Sequence, residues 1–195
     1  MATRAQLRLT PDEYLDAERR ADVKSEYLAG EVMAMSGASY AHNLIVANCI
    51  GELHGQLKGS PCAVLPSDVR VWIEADERFV YPDVTVVCGD PRFVDGHQDT
   101  IINPTLLIEV LSRSTSNYDR GEKFVSYRRL DAFSEYVLLA QDRPHCEHFV
   151  RQTDGSWRLT EVDDLGTTLE LSTIACTLDL ASAYDRVPFG PRAVG

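Results

Sequence analysis

Long apolar runs, paired cysteine motifs and basic residues are the features that this sequence has least of. No apolar run approaches the roughly 20 residues that cross a membrane, and the opening Met1–Arg4 segment does not begin an apolar signal sequence. The five cysteines are an odd number and form no CxxC motif. These absences predict a cytoplasmic protein that is not attached to a membrane and keeps its thiols reduced.

The charge of the chain is strongly negative. It carries 30 acidic residues against 19 lysines and arginines, for a net charge of −11. A general nucleic-acid-binding protein is basic, so this composition argues against that class. It leaves open an enzyme with a locally basic rim, because five basic and two acidic residues lie between Arg113 and Arg129. The alternative is that Arg128 and Arg129 form the solvated edge of a helix.

The hydrophobic pattern predicts one α/β (α+β) domain over residues 1–195, in which helices flank a mixed central sheet. The Thr10–Glu13 segment predicts the capped start of an N-terminal helix. A hairpin follows over Ser25–Ser36 and turns at Ala29-Gly30. Ser39 then predicts the cap of a second helix that runs to about residue 57. Near the end of the chain, the Asp154-Gly155 dipeptide predicts a C-terminal hairpin.

Three strand patterns and one helix pattern occupy the middle of the chain. Alternation predicts strands over Ser67–Glu74 and Phe79–Cys88, joined as an antiparallel hairpin. The nearly continuous apolar run Thr105–Leu111 predicts a central strand covered on both faces. A helix that ends near Leu130 then leads to a strand at Glu135–Ala140, which predicts a parallel crossover.

Two carboxylates interrupt these apolar strands. Asp83 lies in the second strand pattern, and Glu109 is the one charge in the central strand. A buried carboxylate is costly unless it pairs, binds a metal or takes up a proton, and two carboxylates about 4 Å apart repel by roughly 4 kcal/mol at an effective dielectric near 20. A divalent cation and a nearby ammonium remove that cost, and Lys123 lies with Tyr127 on an inward stripe of the crossover helix. The pattern predicts a metal-dependent hydrolase with phosphodiesters as its substrates.

Ordinary structural roles compete with this interpretation. In the alternative, Asp83 caps a turn after Pro82, and Lys123 is a surface lysine of its helix. The histidines of the His145–His148 segment suggest metal ligands, but strand alternation places them on opposite faces. No glycine-rich phosphate loop or zinc-protease motif occurs in the sequence.

Four further residues are candidates for the rim of the site. They are Glu31, His42, Asp68 and Tyr127. Glu31 shares a strand face with Met33 and Met35, because side chains alternate along a strand; its alternative is an ordinary edge charge. His42 lies on the inward stripe of the second helix, where its alternative is a hydrogen-bonded core histidine.

Short motifs follow one another along the chain in a characteristic order. They are Glu26-Tyr27-Leu28, Gly30-Glu31-Val32, His42, Tyr81-Pro82-Asp83-Val84, Pro104, Ile108-Glu109-Val110-Leu111-Ser112, Tyr118-Asp119, Lys123, Tyr127 and Glu135-Tyr136. In this order the chain resembles the restriction-endonuclease-like superfamily, whose motif is PD-(D/E)XK. More closely, it resembles the Uma-two type of putative restriction endonuclease, over about residues 8–182.

The resemblance implies a restriction-endonuclease-like core and a nuclease site. Asp83 and Glu109 would hold Mg²⁺ or Mn²⁺ with help from the backbone carbonyl near Val110, since such hard cations prefer oxygen ligands. The superfamily's lysine usually stands two residues after the glutamate, where this chain has Leu111. The resemblance implies that Lys123 replaces it.

Three functions follow as hypotheses. The first is a Mg²⁺- or Mn²⁺-dependent nuclease acting on DNA, and we expect it to be a homodimer because one small acidic domain offers little surface to DNA. The second is a catalytically silent binding or regulatory module with the same fold, which Leu111 and the negative charge favour. The third is a metal-independent glycosidase that uses Asp83 and Glu109 as acid and base.

Overall fold

The structure, a computed structural model, describes residues 8–112 and 115–189, so Arg113 lies outside the described residues. The helices are α1 (Pro11–Glu18), α2 (Tyr40–Leu57), α3 (Ser116–Tyr118), α4 (Phe124–Tyr127) and α5 (Leu180–Ala183), with a 3₁₀ turn at Glu74–Asp76 and a π-helical turn at Asp119–Lys123. The strands are β1 (Ser25–Leu28), β2 (Glu31–Ala34), β3 (Cys62–Pro66), β4 (Arg70–Ile73), β5 (Arg78–Val80), β6 (Val84–Cys88), β7 (Thr100–Ile101), β8 (Leu106–Leu111), β9 (Glu135–Ala140), β10 (Cys146–Arg151), β11 (Trp157–Val162), β12 (Thr168–Leu171) and β13 (Cys176–Asp179). Within the two described ranges, no helix combines the length and apolarity of a membrane span.

The strands form two large sheets and one small one. The first large sheet has the order β2-β1-β5-β4-β7, the second has the order β11-β10-β9-β8-β6-β3, and β12 pairs with β13. Each large sheet is mixed, because β4 and β7 are parallel in the first and β8 and β9 are parallel in the second. The predicted α+β class is confirmed, but the strands expected in one central sheet divide between two.

The N-terminal helix and hairpin form as predicted. The Thr10 hydroxyl accepts a hydrogen bond from the Glu13 N–H, and the Glu13 carboxylate accepts one from the Thr10 N–H, which completes a capping box. The hairpin turns at Ala29 and Gly30, whose φ angles of 45° and 97° are those of a tight primed turn. Ser39 caps α2 by accepting a hydrogen bond from the backbone of its first turn.

The chain passes from the first large sheet to the second between β5 and β6. The prediction of one continuous strand over Phe79–Cys88 is therefore wrong. Pro82 explains the break, because it has no N–H to donate to a ladder. This passage leaves Asp83 at the junction of the two sheets, one residue before β6 begins.

Asp68 does not lie on a core strand, contrary to the prediction. The chain turns at 67–69, and β4 begins only at Arg70. The apolar alternation of the sequence continues through this turn, so the pattern alone does not reveal where the strand starts. The exposed Asp68 carboxylate forms an ion pair with Lys24.

The central strand β8 is buried along its whole length, as predicted. Its even-numbered residues join the core that includes α2 and α5, and Leu107 and Leu111 join a second core with residues of α4. Glu109 has the same parity as Leu107 and Leu111. It therefore faces the crossover helix, by which we mean residues 116–127.

The prediction that all cysteines are reduced thiols is wrong for one pair. Cys62 and Cys88 are directly opposite each other on β3 and β6, and the structure joins them in a disulfide. Cys49, Cys146 and Cys176 are free and buried. Spacing in the sequence did not suggest the pair, because the two cysteines are 26 positions apart and only the register of the strands brings them together.

Asp99 links α1 to β4 through charged hydrogen bonds. Arg19 Nε donates to its carboxylate at 2.8 Å, and the buried Arg70 guanidinium also donates to it. These partners, Arg19 foremost, hold the pKa of Asp99 well below its usual range. A carboxyl with a lowered folded-state pKa stabilises the fold above its unfolded-state pKa, and this contribution is lost as the pH falls.

We expect Asp99→Asn to lower the free energy of unfolding by about 2 kcal/mol at neutral pH, because the charged hydrogen bonds from Arg19 and Arg70 are weakened. Below about pH 4 the difference from the unaltered protein shrinks, since the carboxyl is then protonated in the unfolded chain. Urea titrations across this pH range measure the difference in unfolding free energy between the two proteins. If the loss of unfolding free energy stays constant with pH, the lowered pKa of Asp99 is contradicted.

Candidate active site

A cavity of about 780 Å³ opens between the N-terminal hairpin, the start of α2 and the crossover helix. Five residues that the sequence singled out line it. They are His42, Asp83, Glu109, Val110 and Lys123. Residues from both large sheets and two helices therefore meet at one solvent-reachable place.

Asp83 is held by neighbours on each side. One carboxylate oxygen, Oδ2, accepts a hydrogen bond from the Val110 N–H at 2.7 Å, and the other, Oδ1, lies 3.0 Å from His42 Nε2. The Asp83 N–H in turn donates to Glu109 Oε2 at 3.4 Å. The Asp83 carboxylate thus contacts β8 directly, whereas a residue that only caps a turn would bond to its own turn.

Glu109 projects from β8 toward the crossover helix. Its Oε1 atom accepts hydrogen bonds from the Tyr127 hydroxyl at 2.8 Å and from Lys123 Nζ at 3.2 Å. Leu106 to Leu111 are otherwise apolar and buried, so Glu109 depends on these donors for its polar contacts. The structure brings Asp83, Glu109, Lys123 and Tyr127 together.

Lys123 points inward, and the alternative of a surface lysine is wrong. Its side chain is 7% exposed, and Nζ lies 3.1 Å from Glu26, 3.2 Å from Glu109 and 3.5 Å from Asp119. The π-helical turn ends at Lys123, and such turns are frequent at functional sites. One ammonium is therefore surrounded by three carboxylates.

Glu26, Tyr118 and Asp119 belong to motifs of the resemblance, but the sequence analysis did not place them in the site. Glu26 comes from β1, and its second oxygen accepts a hydrogen bond from the Tyr118 hydroxyl at 2.8 Å. Asp119 stands four residues before Lys123, a spacing that brings two side chains together on a helix. That spacing was available in the sequence, whereas the approach of Glu26 depends on how the two sheets are arranged.

Burial and like charges govern the protonation of this cluster. Burial raises the pKa of Glu109 well above its ordinary value, and Asp119 and Asp83 add to the effect while Lys123 opposes it. Burial also raises the pKa of Asp119. Burial alone lowers the pKa of Lys123, but Glu109, Glu26 and Asp119 outweigh it, so the net shift is upward and the ammonium form persists.

The cavity contains carboxylates, the donor type that hard divalent cations prefer, although among the described residues no three of them bring ligand atoms within 4.8 Å of one another. The carboxylates of Glu26, Asp83, Glu109 and Asp119 line the cavity, and all of these except Asp83 surround the Lys123 ammonium. This leaves an excess of negative charge in a partly buried site, which a cation or bound protons relieve. Oxygen-only donor sets of this kind match Mg²⁺ and Mn²⁺.

Two of the predicted rim residues lie elsewhere. Glu31 starts β2, is exposed, and forms a 3.7 Å ion pair with Arg8. Asp68 is on the turn before β4 and pairs with Lys24. Neither side chain lines the cavity. Glu31 has the edge-charge role that was its alternative, and Asp68 forms a surface ion pair.

A second cluster of metal-ligand residues lies outside the cavity. Over the described ranges, the one group of three whose possible ligand atoms all lie within 4.8 Å of one another is His145, Glu147 and Glu161. Arg120 already donates to Glu147 at 2.6 Å, and His145 Nδ1 lies 2.6 Å from Asp163. These contacts account for the cluster as a charge network at the edge of the sheet.

Similar proteins are known by sequence and by structure. Two uncharacterised proteins of Synechocystis sp. resemble the chain: sll1609, at 37% identity over 84% of this chain and 93% of that protein, and slr1290, at 32% over 93% of this chain and 94% of that protein. A crystal structure of a putative nuclease belonging to DUF820, from Anabaena variabilis, has a TM-score of 0.72 at 17% identity and covers 90% of this chain and 97% of that one.

A family model agrees with these relatives. The model of the Uma2 family, described as a putative restriction endonuclease, matches residues 11–182. That range contains the described residues of the cavity from Asp22 to Gln141. The chain therefore belongs to the Uma2 family of putative restriction endonucleases.

Proposed function

We propose that this protein is a Mg²⁺- or Mn²⁺-dependent nuclease that hydrolyses phosphodiester bonds in DNA. The observation that carries the proposal is the meeting of Asp83, Glu109 and Lys123 in one cavity, with Lys123 Nζ 3.2 Å from Glu109. Leu111 occupies the usual lysine position, and the crossover helix supplies an ammonium in its place. Family membership supports the same reaction class.

Each residue has a definite task in this proposal. Asp83, Glu109 and the Val110 carbonyl would hold the metal, which when bound lowers the pKa of a water and neutralises charge on the phosphate. Lys123 orients the attacking water or stabilises charge on the phosphate in the transition state. The Tyr127 hydroxyl fixes the position of Glu109, and His42 fixes that of Asp83.

The test is cleavage of single- and double-stranded DNA by the purified protein, with Mn²⁺, with Mg²⁺ and with EDTA. We expect cleavage with either metal and none with EDTA. Asp83→Asn, purified in parallel, is expected to cut about 100-fold more slowly, because it loses a charged oxygen ligand. Equal cleavage by both preparations would identify a contaminant and contradict the proposal.

The silent-module hypothesis remains the second candidate because one observation favours it. Lys123 is held by three carboxylates, a contact set that also suits a purely structural ion-pair network. Calorimetry distinguishes the two, since a nuclease site binds Mn²⁺ with an affinity that Glu109→Gln removes. Hydrolysis of glycosides that needs no metal would instead favour the glycosidase alternative.

The homodimer, the cytoplasmic location and the single domain belong to the same proposal. Sedimentation of the purified protein tests the first of them. A homodimer would present two cavities to one DNA molecule and so compensate for the small acidic surface of a single chain. A monomer that cleaves DNA would remove this part of the proposal without affecting the chemistry.

A further inference from the structure

The cavity has two walls of opposite character. One wall carries the charged groups Glu26, Asp83, Glu109, Asp119 and Lys123. The other, which we call the methionine wall, consists of Val23, Met33 and Met35 with the small residues between Ala34 and Ala38. Charged residues adjoin the methionine wall, because Glu26 is the cross-strand partner of Met33 and the Met35 N–H donates to the Lys24 carbonyl. The cavity therefore places an apolar surface directly beside charged groups, which suits a ligand that carries both an apolar group and a phosphate.

The methionine wall is exposed to solvent although it is apolar. Val23 is 61% exposed and Met33 is 40% exposed. β2 is an edge strand paired only with β1, and its period of two directs Met33 and Met35 to the same side. Methionine side chains are flexible and polarizable, and they are frequent on surfaces that adapt to apolar ligands. An exposed apolar wall that continues into a polar site is typical of a ligand-binding surface.

The positive charges around the cavity are too few to follow a DNA duplex. Its lining includes two lysines and no arginine among the described residues. Lys24 pairs with Asp68 and also donates to the Ser67 carbonyl, while Lys123 is surrounded by carboxylates. Proteins that bind duplex DNA tightly make about 6–10 phosphate contacts with lysine and arginine. Within the described lining, these two lysines therefore offer few contacts to a DNA backbone, and we expect other contacts to add affinity.

An exposed aromatic side chain stands beside the same opening. Tyr40 is 72% exposed and follows Ser39, which lines the cavity. Stacking on aromatic rings is a main source of affinity for unpaired bases, and it does not depend on base sequence. The volume of about 780 Å³ lies within the range of small-molecule sites and suits one or two nucleotides.

We propose that the methionine wall is a nucleobase subsite and that the preferred substrate is DNA with unpaired nucleotides: single strands, flaps or frayed ends. The base would pack on Met33 and Met35 while its phosphate lies against the carboxylate wall. A duplex must first unpair to place a base there, which costs a few base-pairing and stacking interactions. This inference rests on the proposed nuclease function and names the substrate class of the same site.

The experiment compares a labelled 20-nucleotide single strand with the matching duplex in Mn²⁺. We expect the unaltered protein to cleave the single strand at least tenfold more efficiently, measured as kcat/KM. The double variant Met33→Ser/Met35→Ser is expected to raise KM for the single strand about tenfold with little change in kcat, because contacts to the base are lost and the carboxylate wall is intact.

Val32→Ser provides a matched control. Val32 is 44% exposed on the same strand, but it points to the opposite face and does not line the cavity. We expect it to cleave like the unaltered protein. Equal KM values for the double variant and this control would overturn the subsite, and so would preferred cleavage of the duplex. Thermal unfolding of all three proteins confirms that they are folded.

Failure of the inference is distinguishable from failure of the proposed function. Cleavage with a duplex preference overturns the inference and leaves the nuclease intact. If no DNA is cleaved, the proposed function fails, and binding still tests the subsite through fluorescence anisotropy of the same oligonucleotides in Ca²⁺. Tighter binding of the single strand, weakened about tenfold in the methionine double variant alone, supports the subsite; equal binding of single strand and duplex overturns it.

Discussion

Glu109→Gln is expected to reduce Mn²⁺-dependent DNA cleavage by about 1000-fold while the protein remains folded. The amide oxygen can still accept hydrogen bonds from Tyr127 and Lys123, which in the unaltered protein lie 2.8 Å and 3.2 Å from Glu109 Oε1. What disappears is the negative charge that would bind the cation. Because burial makes that charge costly, its removal is not expected to destabilise the fold.

Glu147→Gln is the matched control for this prediction. Glu147 is also buried, lies in the same row of side chains across the sheet as Glu109, and pairs with Arg120 of the crossover helix. It does not line the cavity. We expect its cleavage rate to stay within about twofold of the unaltered protein. Cleavage by Glu109→Gln at the rate of this control would exclude Glu109 from the reaction.

Lys123→Met is expected to be the most destabilising single change, at about 3–5 kcal/mol of unfolding free energy in EDTA. The variant keeps the volume of the side chain but leaves Glu26, Glu109 and Asp119 without their shared ammonium. Repulsion among buried carboxylates then opposes folding. Urea unfolding measures the loss, and Lys58→Met, an exposed lysine at the end of α2, serves as the control with an expected change below about 0.5 kcal/mol.

The loss in Lys123→Met depends on pH in a definite direction. A carboxyl whose folded-state pKa is raised destabilises the fold at high pH, and the penalty disappears as the pH falls toward its unfolded-state value. The pKa of Glu109 is already raised in the unaltered protein, and without the ammonium it rises further. The difference in unfolding free energy should therefore shrink between about pH 8 and pH 5. A difference that grows on acidification would show that Lys123 does not neutralise these groups.

Local patterns in the sequence predicted those parts of the fold that depend on near neighbours. The capping box at Thr10, the Ala29-Gly30 turn and the buried run of β8 are each specified within a few residues. The same holds for the inward stripe that carries Lys123 and Tyr127, since helical spacing alone places them together. The sequence predicted that Lys123 and Tyr127 lie together because residues four positions apart share one face of a helix.

The features that the sequence did not reveal depend on how distant segments pack. The strand pattern through Phe79–Cys88 hides the passage between two sheets at Pro82, and the disulfide partners Cys62 and Cys88 meet only through the register of β3 and β6. Glu26 contacts Lys123 from the other sheet, since β1 belongs to the five-stranded sheet and β8, which carries Glu109, belongs to the six-stranded sheet. Nothing within a few residues of Glu26 distinguishes it from an ordinary strand glutamate.

The chain crosses between the two large sheets several times, and residues of both sheets line the cavity near the crossing at Pro82. The six-stranded sheet and its helix hold Asp83, Glu109 and Lys123, whereas the five-stranded sheet presents Met33 and the loop that follows. Under the proposed nuclease function, changes at Met33 and Met35 would alter which DNA structure binds, whereas Glu26 of the same hairpin contacts Lys123 and belongs to the charged cluster. If the proposed function holds, relatives that keep Glu26 but differ at Met33 and Met35 would share one reaction and differ in their preference for one DNA structure over another, and exchanging these two residues between relatives would transfer that preference.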